Sequence, residues 1–223
     1  MKKITLILAV LTLSSLTSRA QFLDSIQAAI GRKGSFTFSF NTRNSYIGSS
    51  GANIWGFMAG VCFSRKFAAG GGLNILNNYV GKTETVGGQT VNAQLKFTYI
   101  SYYVEYIIRL QKHWEIDIPV AIGAGGSNYT YYLNGAQLTQ NSHFIVPLEP
   151  QVEVDYDFLK NKFGNYLFGL YVQVGYRYML DNNPAIGGSF NSSTYATGIL
   201  LFPFEIYSAI FPRTGLARMI EGN

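Results

Sequence analysis

The chain has 223 residues, with 17 Lys+Arg against 12 Asp+Glu, one Cys, 24 Gly, 16 Phe, 16 Tyr and 2 Trp, and only 13% of it is charged. A chain this aromatic and this weakly charged is neither intrinsically disordered nor a disulfide-stapled miniprotein, and it is long enough to bury a core.

Lys2 and Lys3 make a basic start, Ile4 to Leu13 is apolar, and Ser18-Arg19-Ala20 sets small residues where a signal peptidase reads. Residues 1–20 are therefore expected to be a signal peptide, since the apolar run falls short of the roughly 20 residues a spanning helix needs. The basic balance belongs largely to that leader and gives no ground for nucleic acid as a partner. Next, Phe22, Leu23, Ile26 and Ile30 recur at helical spacing with Asp24, Ser25 and Gln27 between them. They predict a short amphipathic helix within residues 21–34, ending at Gly31-Arg32-Lys33-Gly34.

From residue 35 on, apolar and polar or tiny residues alternate with period two, the signature of strands with one greasy face. In order, the greasy positions are Phe36, Phe38 and Phe40; Trp55 to Phe63 on odd numbers; and Ile100 to Ile108 on even numbers. Then follow Trp114 to Ile122, Val146 to Tyr156, Phe168 to Tyr178 and Leu200 to Ile206, all on even numbers. The less regular Phe67 to Ile75 brings the expectation to eight strands. The charges share a face with Gly, Ser and Gln, opposite an aromatic and aliphatic face. A soluble sandwich would point its charges outward; here the arrangement fits a barrel whose apolar face meets lipid.

The connections alternate long and short: 43–53, 77–96, 132–143 and 181–194 are long, whereas 64–66, 110–113 and 159–165 are shorter. Outer-membrane barrels have short periplasmic turns and longer external loops, so both termini are expected to be periplasmic. Gly87-Gly88 and Asn134-Gly135 are hairpin signals in the second and third long connections. A two-residue turn at Gly87-Gly88 makes paired residue numbers sum to 175, setting Gly70 opposite Glu105 and Gly72 opposite Tyr103. The same arithmetic at Asn134-Gly135 pairs inward with outward positions, so a three-residue loop or a bulge is expected, near Pro147 or Pro150.

The leader, eight amphipathic strands, alternating connections and projecting hairpins over residues 35–211 resemble the small eight-stranded outer-membrane β-barrels of the OmpX and OmpA-barrel type. The resemblance implies an all-β, antiparallel transmembrane barrel in the bacterial outer membrane, in contact with lipid and lipopolysaccharide. Such barrels commonly end on an aromatic residue. Here Pro212 to Asn223 follow Phe211, so residues 212–223 are expected to be a periplasmic tail with a role or partner of its own.

Strand parity turns Glu105, Glu115, Asp117, Glu149, Glu153, Asp155 and Glu205 into the lumen, with Arg109 and Arg177 as inward cations. A narrow interior must pair, solvate or neutralise such charges, which predicts a salt-bridge network or a cation-binding vestibule. Arg109 is expected to face Glu115 across the turn at 110–113. No motif calls for a metal or a cofactor: there is no cysteine pair, no HExxH and no phosphate loop. Cys62, Met58 and Gly123-Ala124-Gly125-Gly126 read as lumen or wall packing. His143 beside Ser142 is the weak catalytic candidate, because some barrels of the resembled type modify lipid A with an outer-leaflet histidine. The leading expectation is a structural or interaction barrel that docks an envelope protein through its flanks or hairpins. The alternative is a lipid-modifying enzyme or a narrow cation-selective pore.

Overall fold

A computed structural model describes residues 24, 26–32, 34–110, 113–160, 166–186, 190–201 and 203–210. The expected signal peptide and the tail at 212–223 lie outside these residues. The alternating stretches form β1 (Gly34–Ile47), β2 (Ser50–Phe63), β3 (Phe67–Leu76), β4 (Gly81–Val86), β5 (Gln89–Arg109), β6 (Trp114–Leu133), β7 (Ala136–Asp157), β8 (Phe168–Asp181) and β9 (Ser192–Leu201). They pair antiparallel in the order β3-β2-β1-β9-β8-β7-β6-β5-β4, and β3 returns to β5. The ladder closes where Asn44 of β1 meets Tyr195 of β9. Since β3 and β4 lie end to end along β5, the nine strands make an eight-stave antiparallel barrel.

Side-chain exposure inverts the pattern of a soluble protein. Val104, Val172 and Ile199 are 49%, 55% and 63% exposed on the outer wall, whereas Asn74, Arg177 and Glu149 inside are 0%, 0% and 2% exposed. An apolar exterior on stave after stave is sustained by hydrocarbon, not by water. No helix among the described residues is long and apolar enough to cross a membrane.

The register departs from expectation in instructive places. Val86 pairs with Gln89 as expected, but Gly70 pairs with Tyr103 and Gly72 with Ser101. Between those ladders, residues 76–80 run opposite only 95–97, so two extra residues slide β3 by one inward step and preserve parity. At Asn134-Gly135 the two-residue turn is kept, with Leu133 opposite Ala136. The parity conflict is resolved at Asn141 and Ser142, where the register shifts opposite Asn128 and Asn141 takes φ +55°. That bulge swaps inward positions from even to odd. A separate shift at Val146/Pro147 concerns the β7–β8 ladder instead.

Two further corrections concern where strands end. The first long connection is only a tight turn: β1 runs to Ile47 and β2 starts at Ser50. At the other end, Pro203 has no N–H for a ladder and a φ preset for a helix's first turn, so the sheet stops at Leu201. Residues Pro203–Ile210 are helical. The last strand is thus Ser192–Leu201 and not Leu200–Ile206, the barrel stops short of residue 211, and Glu205 lies on a helix and not in the lumen wall.

Helical structure at residues 26–30 does occur before β1. Its buried contact is Ala29, whose carbonyl accepts a 3.4 Å hydrogen bond from Ser64 Oγ in the β2–β3 turn, while Ile30 is 48% exposed.

Candidate functional site

The end that carries the short turns and both ends of the described barrel is called the terminal end; the opposite one is the hairpin end. From the terminal end inward, the lumen is layered by charge. Arg109 pairs with Glu115 across the 110–113 connection. One step further in, Asp117, Glu153 and Asp155 converge, with a carboxylate oxygen of each within 4.8 Å of the others. Two of the cross-strand partners here are acid on acid, Glu115 with Asp155 and Asp117 with Glu153. Gln173 on β8 donates its Nε2 to Glu153 Oε2 at 2.8 Å. Above them lies a cavity of about 80 Å³, whose walls include Met58, Tyr103, Glu105, Gln151 and Gln173.

The middle layer is a buried ion pair. Arg43 Nη1 lies 2.7 Å from Glu149 Oε2, with the two side chains 4% and 2% exposed. Tyr99 donates its hydroxyl to the same carboxylate at 2.9 Å. Arg43 also donates to Asn74 Oδ1, and Asn74 Nδ2 donates to Ser101 Oγ at 2.9 Å. Charges this deep are tolerable only with their partners in place. Tyr99 fits because the facing wall is stripped of side chains: a Cβ on Gly125 would stand 2.4 Å from Tyr99 Cα, and one on Gly123 would stand 2.6 Å from its ring.

Toward the hairpin end the lumen is plugged. Arg177 is fully buried and donates to the Phe190 carbonyl (3.0 Å), Ser45 Oγ (3.0 Å) and the Tyr46 carbonyl (3.1 Å). Phe97 lies under its guanidinium and stacks on Phe190 with ring centroids 5.1 Å apart. Ile54, Leu95, Ile145 and Ile186 pack into the same cluster. Ile186 and Phe190, from the β8–β9 connection, therefore turn back into the barrel. Asn183, from the same connection, donates to Ser127 Oγ (3.0 Å) and the Asn141 carbonyl (2.7 Å).

Beyond the plug, β4, β5, β6 and β7 continue as a four-stranded sheet, in register from Gly81–Gln94 through Thr130–Thr139. Its two edge strands touch across the concave side, where Gln140 donates to Glu84. Lys82 sits 4.3 Å over the Tyr129 ring and donates to the Ala185 carbonyl, so the sheet and the plug brace each other. Among the described residues no strand pairs with the far side of β4. In a two-residue hairpin closed by Val86 and Gln89, alternate residues bond the partner, which leaves the N–H groups of Gly81, Thr83 and Thr85 on that open edge. The matching edge of β7 is kinked by its bulge, a device that blunts edge pairing.

The residues singled out in the sequence thus fall into separate groups. Arg109 with Glu115 forms the rim, Asp117, Glu153 and Asp155 form the acid cluster, and Glu105 lines the cavity beside it. Glu149 and Arg177 hold separate layers, and Glu205 stands on the helix that follows the barrel. His143 Nε2 lies 3.1 Å from Asp181 Oδ1, so it has the orienting acid that the sequence did not reveal, on a side chain 34% exposed. Among the described residues no hydroxyl or thiol hydrogen-bonds its ring. Arg43, Tyr99 and Asn74 were missed as site residues. Arg43 sits in a polar stretch read as loop, yet continuing the β1 alternation of Ser39 and Asn41 would have turned it inward.

No protein-family model and no curated relative matches this sequence. Solved structures do. The crystal structure of neisserial surface protein A (NspA) superposes with a TM-score of 0.54 at 15% identity, over 77% of this chain and 100% of that one. This chain has the fold of the small eight-stranded outer-membrane β-barrels. Ail, the attachment invasion locus protein of Yersinia pestis, matches at 11% identity and a TM-score of 0.47, over 75% of this chain and 97% of its own. The N-terminal barrel domain of Pseudomonas aeruginosa OprF matches at 10% identity and 0.41, over the same shares.

Proposed function

We propose that this protein is a bacterial outer-membrane barrel, with both termini periplasmic and the four-stranded extension outside, that docks another envelope protein and performs no chemistry of its own. The lipid-facing belt and the NspA-like fold support the location. One observation carries the role: a plugged barrel raises a braced sheet with an unpaired strand edge. A folded wall that conducts nothing acts through its surface, and an open β4 edge offers main-chain donors and acceptors to a partner strand. The exposed Thr83 and Thr85 add small side chains that do not obstruct an incoming strand.

Thr83→Pro tests this, because it deletes an edge N–H while leaving the β4–β5 ladder bonds in place. The variant is expected to fold with unchanged stability in micelles and to lose its native-membrane complex. Retention of the complex would contradict edge docking. The contact between His143 and Asp181 favours lipid modification as the second reading. Acyl removal or transfer on lipid A that vanishes in His143→Ala would establish it in place of docking. Solute flux through vesicles holding the purified protein would instead support a pore, which the Phe190 plug argues against.

A further inference from the structure

We infer that the acid cluster in the lower lumen is a binding site for a divalent cation of the calcium type. Asp117, Glu153 and Asp155 already bring three carboxylates within 4.8 Å of one another, two of them facing as a like-charged cross-strand pair. Like charges directly opposite destabilise a sheet unless something of opposite sign lies between them. Of the arginines beside it, Arg109 is paired with Glu115 at the rim and Arg43 with Glu149 in the layer above. Glu105 adds a further acid on the adjoining cavity wall.

A second observation points to a ligand and not merely to acidity. Gln173 is 5% exposed and lines the same cavity as Asp117 and Glu153; its Nε2 is anchored on Glu153, and its buried amide oxygen has no hydrogen-bond partner among the described residues. Asp117 Oδ1 and Asp155 Oδ1 are likewise buried without a donor. Three buried acceptors with no donor constitute an unmet demand for positive charge, and each uncompensated one is costly. The donor set is all oxygen, three carboxylates and an amide carbonyl, with room for waters in the cavity of about 80 Å³ above. Hard oxygen ligands in this mixture, without imidazole or thiolate, match calcium with its six to eight oxygens and flexible geometry better than zinc or a strictly octahedral magnesium.

The full chain, folded in detergent micelles and stripped with a chelator, is titrated with terbium under excitation of its tyrosines, of which Tyr171 stands opposite Asp155. The site predicts saturable sensitised emission that calcium displaces, and a melting temperature that rises with calcium. Glu153→Gln and Asp155→Asn should each weaken terbium and calcium binding at least about tenfold, whereas Glu84→Gln in the extension should not. Absence of saturable, calcium-competed emission from the folded wild-type chain would overturn the site. So would a melting temperature raised by acid but indifferent to calcium, since the carboxylates would then be sharing protons.

Discussion

Replacing Arg43 by Met should be among the most damaging single changes to this barrel, and the structure sets its size. Arg43 and Glu149 are 3% and 2% exposed and meet at 2.7 Å. Removing the guanidinium leaves Glu149 with the Tyr99 hydroxyl as its remaining donor and only the more distant charge of Arg177 to balance it, a buried carboxylate without its paired counter-ion. Breaking such a pair from one side costs about 3–5 kcal/mol, so Arg43→Met and Glu149→Leu should each lose that much. The double variant Arg43→Met/Glu149→Leu should recover part of the loss, because two apolar side chains leave neither partner of this pair stranded. Urea unfolding from lipid vesicles, followed by fluorescence of Trp55 and Trp114 on the outer wall, reads all three. Single variants that lose less than about 1 kcal/mol would refute the reasoning, as would a double variant whose loss is the sum of the singles.

Val104→Arg should cost about 2–4 kcal/mol in the same assay, since Val104 faces lipid and pairs with Val120 within the apolar outer belt of β5 and β6. Phe190→Ala should cost about 3–5 kcal/mol by emptying the space beside Phe97, a loss that calorimetry in micelles would register. Gly125→Ala forces a Cβ to within 2.1 Å of the Thr98 carbonyl oxygen. It should cost at least the roughly 1–3 kcal/mol of an overpacked core and disturb Tyr99 first, which the Tyr99 ring signals in an NMR spectrum would show.

Much of the wall was legible because alternation is read from two residues at a time. Ile100 to Ile108, Trp114 to Ile122, Val146 to Tyr156 and Phe168 to Tyr178 declared their lipid face directly, and with them the inward parity of Asp117, Glu149 and Arg177. The pairing of Arg109 with Glu115 needed only a short turn. What failed was punctuation. Arg43-Asn44-Ser45 looks like loop because polar residues on both faces are normal once a strand leaves the bilayer. The stretch Ser192–Leu201 shows only Tyr195, Thr197 and Ile199 on its outer face, so the stronger Leu200-Phe202-Phe204 rhythm displaced it. Pro203 was the local sign that the strand stops before it and a helix begins. Bulges at Asn141 and around residues 76–80 are set by how staves of unequal length close a ring, and no local propensity announces them. The meeting of Arg43, Tyr99 and Glu149, from β1, β5 and β7, is likewise a property of the closed barrel.

Docking through the β4 edge is the central claim, and site-specific photocrosslinking in growing cells tests it most directly. A crosslinking residue at Thr85, on the open edge, should yield one discrete protein adduct, and the adduct should disappear when Thr83→Pro is added. The same group at Val172, on the lipid wall, should give no such adduct. An adduct-free Thr85 site on a folded, surface-displayed barrel, or an adduct untouched by Thr83→Pro, would contradict the account.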